Sequence, residues 1–241
     1  MYSTYDGRTA VSQHEDLDLD HLPAPVRRSL VRSGVLERSV PTIVSVRQRG
    51  RIRTSSDSKW LPFTARERYA LDPPFFAWDA TLKIAGIGVG RARDAFEDGH
   101  GSMRVRLLGL FTVVDASGPE MDQGSLMRWL NETMWFPAVW ATEVITWEAI
   151  DDHTARGSVT VGDLSATADF HFDDEGRLVD FSANRHRNTD DGFTMTPWST
   201  PIDTHIDFDG LLLPASGSAI WHLPDGDFEY IRIEAMDVGY E

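Results

Sequence analysis

Three charged residues, Glu67, Arg185 and Arg187, stand where the surrounding pattern is apolar, and with the helical pair Arg128 and Glu132 they are the natural candidates for chemistry. Glu67 lies on the same face as Phe63, Ala65 and Tyr69 in an alternating stretch. Burial there would raise the carboxyl pKa unless a cation compensates. Glu67 then reads either as a general acid or base with Tyr69 as proton donor, or as half of a structural ion pair. Arg128 and Glu132 are four residues apart in a helical stretch, with Trp135 beside them. At that spacing they form an ordinary surface pair. If a sheet curls over the helix they instead face a cavity, with Glu132 as acid/base and Arg128 as anion stabiliser. Arg185 and Arg187 continue the stripe of Val179, Phe181 and Ala183. A buried guanidinium needs a partner, because an unpaired charge costs several kcal/mol. The pair reads as a clamp for a carboxylate at a pocket mouth, or as two side chains reaching solvent past the core edge. The chain has eight tryptophans, many for its length of 241 residues. Indoles bury much area and bring one N–H that needs an acceptor. Trp78, Trp135 and Trp198 are expected to wall a cleft, although filling a wide interior would also use them.

Other chemistries are poorly supported. There is no cysteine, so thiol catalysis, thiolate metal sites and disulfides are absent. The eight histidines show no His-x-His or His-x-x-x-His spacing, and no metal site is expected. Gly86-Ile87-Gly88-Val89-Gly90 lacks the spacing and following helix of a phosphate loop, and reads as a turn between strands. No cofactor is expected. The net charge of −15 argues against nucleic acid and disfavours anionic membrane surfaces. No run approaches a membrane span, and the first twenty residues lack the pattern of a signal peptide. A cytoplasmic protein is therefore expected.

The elements that must hold these residues are mostly strands. Residues 1–17 read as a loose arm and 18–241 as one domain. A helix is expected at about 23–33, with a proline in its first turn and Gly34 as its stop. A second spans about 121–136, with Leu126, Leu130, Thr133 and Met134 as its stripe and Pro137 as its end. Period-two alternation elsewhere gives about eleven strands, joined by turns such as Asp174-Glu175-Gly176 and Pro224-Asp225-Gly226. The class is mainly β with two helices: a curved antiparallel half-barrel sheet wrapping the helices on its concave side.

Several stretches together resemble a widespread prokaryotic family catalogued as a domain of unknown function. They are LPAPVRR at 22–28, RQRGRIR at 47–53, WLPFTARERY at 60–69, DPPFFAWDA at 72–80, GHGSMRVRLLGL at 99–110, GPEMDQGSLMRWLNETMWFP at 118–137 and TPW at 196–198. The architecture is also similar to the lipoprotein-carrier half-barrel fold, whose members hold apolar molecules. Neither resemblance implies a reaction. Three functions are weighed. The first is a binding module for a small apolar or aromatic molecule, with Arg185 and Arg187 at its polar end. The alternative is a cofactor-free acid/base enzyme of cyclase, isomerase or lyase type in the same cavity. The third is a partner protein docking through the Arg47–Arg53 stripe.

Overall fold

The computed structural model describes residues 19–189 and 192–241; the expected N-terminal arm lies outside them. Among the described residues, fourteen strands form one antiparallel sheet. The first six are β1 (Ile43–Ile52), β2 (Leu61–Ala70), β3 (Phe75–Ile84), β4 (Ile87–Glu97), β5 (His100–Leu107) and β6 (Phe111–Ser117). The other eight are β7 (Thr146–Ala149), β8 (Thr154–Val161), β9 (Leu164–Phe172), β10 (Leu178–Thr189), β11 (Gly192–Ser199), β12 (Ile202–Phe208), β13 (Leu211–Leu223) and β14 (Gly226–Tyr240). Their spatial order is β6-β5-β4-β3-β2-β1-β14-β13-β11-β10-β9-β8-β7, and β12 pairs with β13 beside β11. Two meanders therefore meet along one seam, β1 against β14, and β6 and β7 are the opposite edges.

The chain between those edges crosses the concave side as α2 (Pro119–Glu132), followed by 3-10 turns at Thr133–Trp135 and Pro137–Ala141. Pro119 sits in the first turn, where a missing N–H costs nothing, and Glu120 and Asp122 favour the positive end of the helix dipole. From Gly124 to Glu132 every residue except Arg128 is buried, so α2 is covered nearly all round. Leu126, Trp129 and Leu130 are fully buried; each contributes roughly 1.5–3 kcal/mol by leaving water. The helix touches β4, β5 and β6 on one side and β8, β9 and β10 on the other, so the sheet curls around it as a half-barrel. Contact with β5 is so close that a Cβ on Gly101 would lie 2.4 Å from the Met121 carbonyl oxygen. The shorter α1 (Ala24–Ser33) ends at Gly34, whose φ of +76° suits glycine, and buries Val26 and Leu30.

Three expectations need correction. Helix α2 runs from 119 to 132, and residues 133–135 tighten into a 3-10 turn before Pro137. SMRVRLLGLFTVV at 102–114, which reads as one strand because its middle is apolar and carries no polar turn signal, is instead the turn and inner arms of the hairpin β5–β6. A strand is expected at 200–208, which matches β12, but β11 (Gly192–Ser199) is not among the expected strands; the chain breaks at Thr200-Pro201, where Ser199 leaves β13 and Ile202 rejoins it further along. Among the described residues no helix is long and apolar enough to cross a membrane.

Candidate functional site

Neighbouring strands on the concave side place one row of residues side by side: Val46, Glu67, Trp78, Asp94, Met103 and Ala116 pair in turn from β1 to β6. The two acids flank Trp78. From above, α2 lowers Arg128 onto this row, with its guanidinium 5.3 Å from the Trp78 ring centre and 4.8 Å from that of Phe76. Its three nitrogens each meet a different carboxylate. Nη2 donates to Glu67 Oε1 at 2.7 Å, Nη1 to Asp94 Oδ2 at 2.6 Å and Nε to Glu132 Oε1 at 2.9 Å. A relay behind the row fixes Glu67: Trp78 Nε1 donates to Gln48 Oε1 and Gln48 Nε2 donates to Glu67 Oε2, both at 2.9 Å.

The charges in this cluster do not balance. Three carboxylates share one guanidinium, and the Glu67 side chain is fully buried while those of Glu132 and Asp94 are 6% and 12% exposed. Burial pushes the Glu67 carboxyl well above its usual range; Arg128 offsets this in part and Glu132 adds to it. Burial raises Glu132 as well, again against the pull of Arg128. A shared proton on this pair is the cheapest way to hold two like charges in a dry place. For Arg128, burial works against the charged form, but Glu132, Glu67 and Asp94 together keep it cationic. Tyr69 is buried beside the cluster, and burial, then Glu132 and Glu67, keep its hydroxyl protonated. The Tyr69 hydroxyl, Glu132 Oε2 and Asp94 Oδ1 are buried with no hydrogen-bond partner among the described residues.

The cluster forms one wall of a cavity of about 350 Å³ between α2 and the sheet. Trp78, Trp135, Trp198 and Trp221 line it, with Tyr230, Met103 and Met134. Arg185 reaches in from β10. Its guanidinium lies 4.8 Å from the Trp198 ring centre and 6.0 Å from that of Trp221, and Nε donates to the Gly124 carbonyl at 3.2 Å. Gly124 is one helical turn before Arg128, so the two cations follow one face of α2. Among the described residues, Arg185 has no carboxylate within ion-pair distance, and its terminal nitrogens keep donors for an anion.

A family model matches residues 12–233, nearly the whole chain. The chain belongs to the DUF6544 family, a family of unknown function. No curated protein matches it. Two solved structures are similar in outline. One is a DUF1329 family protein from Desulfovibrio piger, 9% identical, covering 90% of this chain and 92% of its own, with a TM-score of 0.47. The other is a LolA superfamily protein from Nitrosomonas europaea, 11% identical, covering 90% and 93%, also with a TM-score of 0.47.

The structure brings Glu67, Tyr69, Arg128 and Glu132 into one cluster, with Arg128 and Glu132 at the cavity wall and Glu67 and Tyr69 behind it. Trp78, Trp135, Trp198 and Arg185 line the cavity. Arg187 does not; its neighbour His186 takes the lining position, with Nδ1 buried and unpartnered among the described residues. β10 pairs regularly with β11 from Ser182 to Thr189, and along it the cavity wall takes Arg185 and leaves out Arg187. Asp94 is the residue missed. Its signal was the one that marked Glu67, an acid between apolar neighbours on one face, Ala92 and Phe96. The Arg47–Arg53 stripe is no free docking face, since Arg47 and Arg49 pair with Asp237 and Glu234 on β14 at 3.0 and 2.6 Å. Elsewhere, Ser199 Oγ lies 2.9 Å from His222 Nε2, and His222 Nδ1 lies 2.7 Å from Asp227 Oδ1. The order resembles a hydrolase triad, but Asp227 is 64% exposed and none of the three lines the cavity beneath α2. They join β11, β13 and β14.

Proposed function

We propose that the protein binds a small, largely apolar or aromatic molecule in the cavity beneath α2, with an acidic group of the ligand held by Arg185. The observation that carries this reading is the cavity itself. Its volume of about 350 Å³ falls in the range of small-molecule sites, and its walls are indoles and aliphatic chains around a few polar groups. Arg185 stacks on Trp198 with its outer donors free of any described carboxylate, an arrangement suited to a carboxylate or sulfonate.

Two fluorescent probes of nearly the same shape test it. 8-Anilinonaphthalene-1-sulfonate is anionic, and N-phenyl-1-naphthylamine lacks the sulfonate. Both are expected to bind at one site and quench tryptophan emission. Arg185→Ala should weaken the anionic probe by about 10- to 100-fold, the worth of one charge-assisted contact, and leave the neutral one within about twofold. Binding of neither probe, or equal loss of both, refutes the reading. Native mass spectrometry of gently purified protein would identify a retained natural ligand.

Catalysis at the same place is favoured by one specific observation. Glu132 faces the cavity with a raised pKa and one oxygen unpartnered among the described residues, as a general acid/base requires. Asp94 and Glu67 keep Arg128 in place to stabilise a developing anion. Proton transfer in a cyclisation, isomerisation or elimination is the chemistry open to this set. Glu132→Gln should keep probe binding and abolish turnover of any molecule that co-purifies and is converted.

A further inference from the structure

The chain is acidic overall, yet one end of the sheet carries the opposite charge. The β3–β4 hairpin end, residues 81–92, and the β5–β6 hairpin end, residues 105–114, contain Lys83, Arg91 and Arg106 and not one acidic residue, in a chain with 38 of them. The next basic residues along these strands, Arg93 and Arg104, are neutralised by Asp79 at 2.7 Å and Asp115 at 3.1 Å. Lys83, Arg91 and Arg106 make no ion pair among the described residues. Arg91 and Arg106 even stand directly opposite each other on β4 and β5, an arrangement that is unfavourable unless an anion comes between them.

The same end is apolar where it meets solvent. Of the thirteen large apolar side chains exposed among the described residues, eight lie here: Ile84, Ile87, Leu107, Leu108, Leu110, Phe111, Val113 and Val114. The two tips are held together, because the Leu108 amide donates to the Val89 carbonyl at 2.8 Å. Leu108 has a φ of +52°, a left-handed conformation that costs a leucine about 1 kcal/mol or more. Its side chain is nonetheless 69% exposed, so packing inside the protein does not account for it. The apolar surface also runs inward. Cross-strand pairs lead from Leu107–Phe111 at the tip, through Val105–Val114, to Met103–Ala116; Val114, Met103 and Ala116 line the cavity.

We propose that this end is a membrane-docking surface: the two hairpin tips enter the acyl boundary of an anionic bilayer while Lys83, Arg91 and Arg106 meet lipid headgroups. Apolar tips below a belt of cations match the layering of such an interface. The overall charge of −15 argues against membranes only in aggregate; within about a Debye length, ~8–10 Å, the local charge decides. The ladder of apolar pairs would let an apolar ligand move between bilayer and cavity without crossing water.

The test is flotation of the full-length protein with vesicles of phosphatidylcholine alone and of phosphatidylcholine with one quarter phosphatidylglycerol. Binding is expected to the anionic vesicles and to weaken with salt. Arg91→Ser with Arg106→Ser should lower the partition coefficient about 30-fold, some fivefold for each charge removed. Leu108→Asn with Leu110→Asp should abolish it; asparagine tolerates the left-handed turn, so circular dichroism and the thermal midpoint should show an intact fold. No flotation of the wild type, or flotation indifferent to both variants, overturns the proposal. So does a wild-type dimer in sedimentation analysis that Leu110→Asp dissociates with no vesicle binding, since that assigns the patch to self-association.

Discussion

Removing Arg128 is the most revealing single change. Arg128→Met keeps much of the side chain's length and takes away the one cation among Glu67, Asp94 and Glu132. Breaking a buried ion pair by deleting one partner costs about 3–5 kcal/mol, because the other charge is left in a dry place. For a domain of this size that lowers the melting midpoint by about 6–20 °C. The loss should depend on pH, and the sign follows from the raised carboxyl values. A buried acid with a raised folded-state pKa binds its proton more tightly folded than unfolded. Its stability is complete below the ordinary value of 4.5 and falls as pH rises towards the folded-state value. Without Arg128 that window stretches upwards, since the compensating cation is gone. The deficit of the variant therefore grows as pH rises above the ordinary carboxyl value of 4.5, with a slope of up to about 1.4 kcal/mol per pH unit for each proton involved. Urea unfolding followed by tryptophan fluorescence at pH 5, 6, 7 and 8 measures it. A deficit below about 1 kcal/mol at pH 8, or one equal at every pH, would refute the picture of surplus carboxylates held by one guanidinium.

Other changes probe other parts. Gly101→Ala should destabilise by about 1–3 kcal/mol in thermal unfolding, since its new methyl would press on the Met121 carbonyl and Ser125 Oγ at 2.4 and 2.5 Å and push α2 off β5. Leu108→Asn should leave stability unchanged or raise it by up to about 1 kcal/mol, because asparagine accepts the left-handed backbone that leucine resists. Gln48→Leu should cost about 1–3 kcal/mol, since it strands the Trp78 indole N–H and one oxygen of Glu67; chemical denaturation measures the loss.

How far the sequence could be read depended on how local the signal was. Alternation in β2 put Glu67 on a buried face, and four-residue spacing put Arg128 beside Glu132; both readings needed only one element. That these two pieces meet needs the register of β2 on β3 and β4, and the height of α2 above them, which no short pattern carries. Asp94 carried the same local signal as Glu67, between Ala92 and Phe96 on one face; what alternation alone does not give is that it stands across Trp78 from Glu67. Arg187 is two residues after Arg185 on a regularly paired stretch of β10, and only Arg185 lines the cavity; alternation gives a face but not how far along it the cavity reaches. The β5–β6 turn was invisible for a different reason. The turn is made at Leu108 and Gly109, both left-handed; Gly109 suits it, but a leucine beside it and apolar residues on either side read as continuous strand.

The seam between β1 and β14 has a consequence for how the protein reaches its fold. Within each meander, partner strands are close in sequence and can zip from turn to turn, which is fast. Across the seam, Val44 pairs with Tyr240 and Ile52 with Ile231. Joining ends some twentyfold further apart than those of a ten-residue hairpin costs about 2.6 kcal/mol more in chain entropy. The seam is thus the last pairing to become favourable, and the cavity, whose wall includes Ile52 from one meander and Ile231 and Ile233 from the other, closes only when it does. An intermediate in which both meanders are formed but unjoined would present two bare strand edges. Its partitioning between zipping shut and pairing with another molecule sets the refolding yield, which should fall as protein concentration rises.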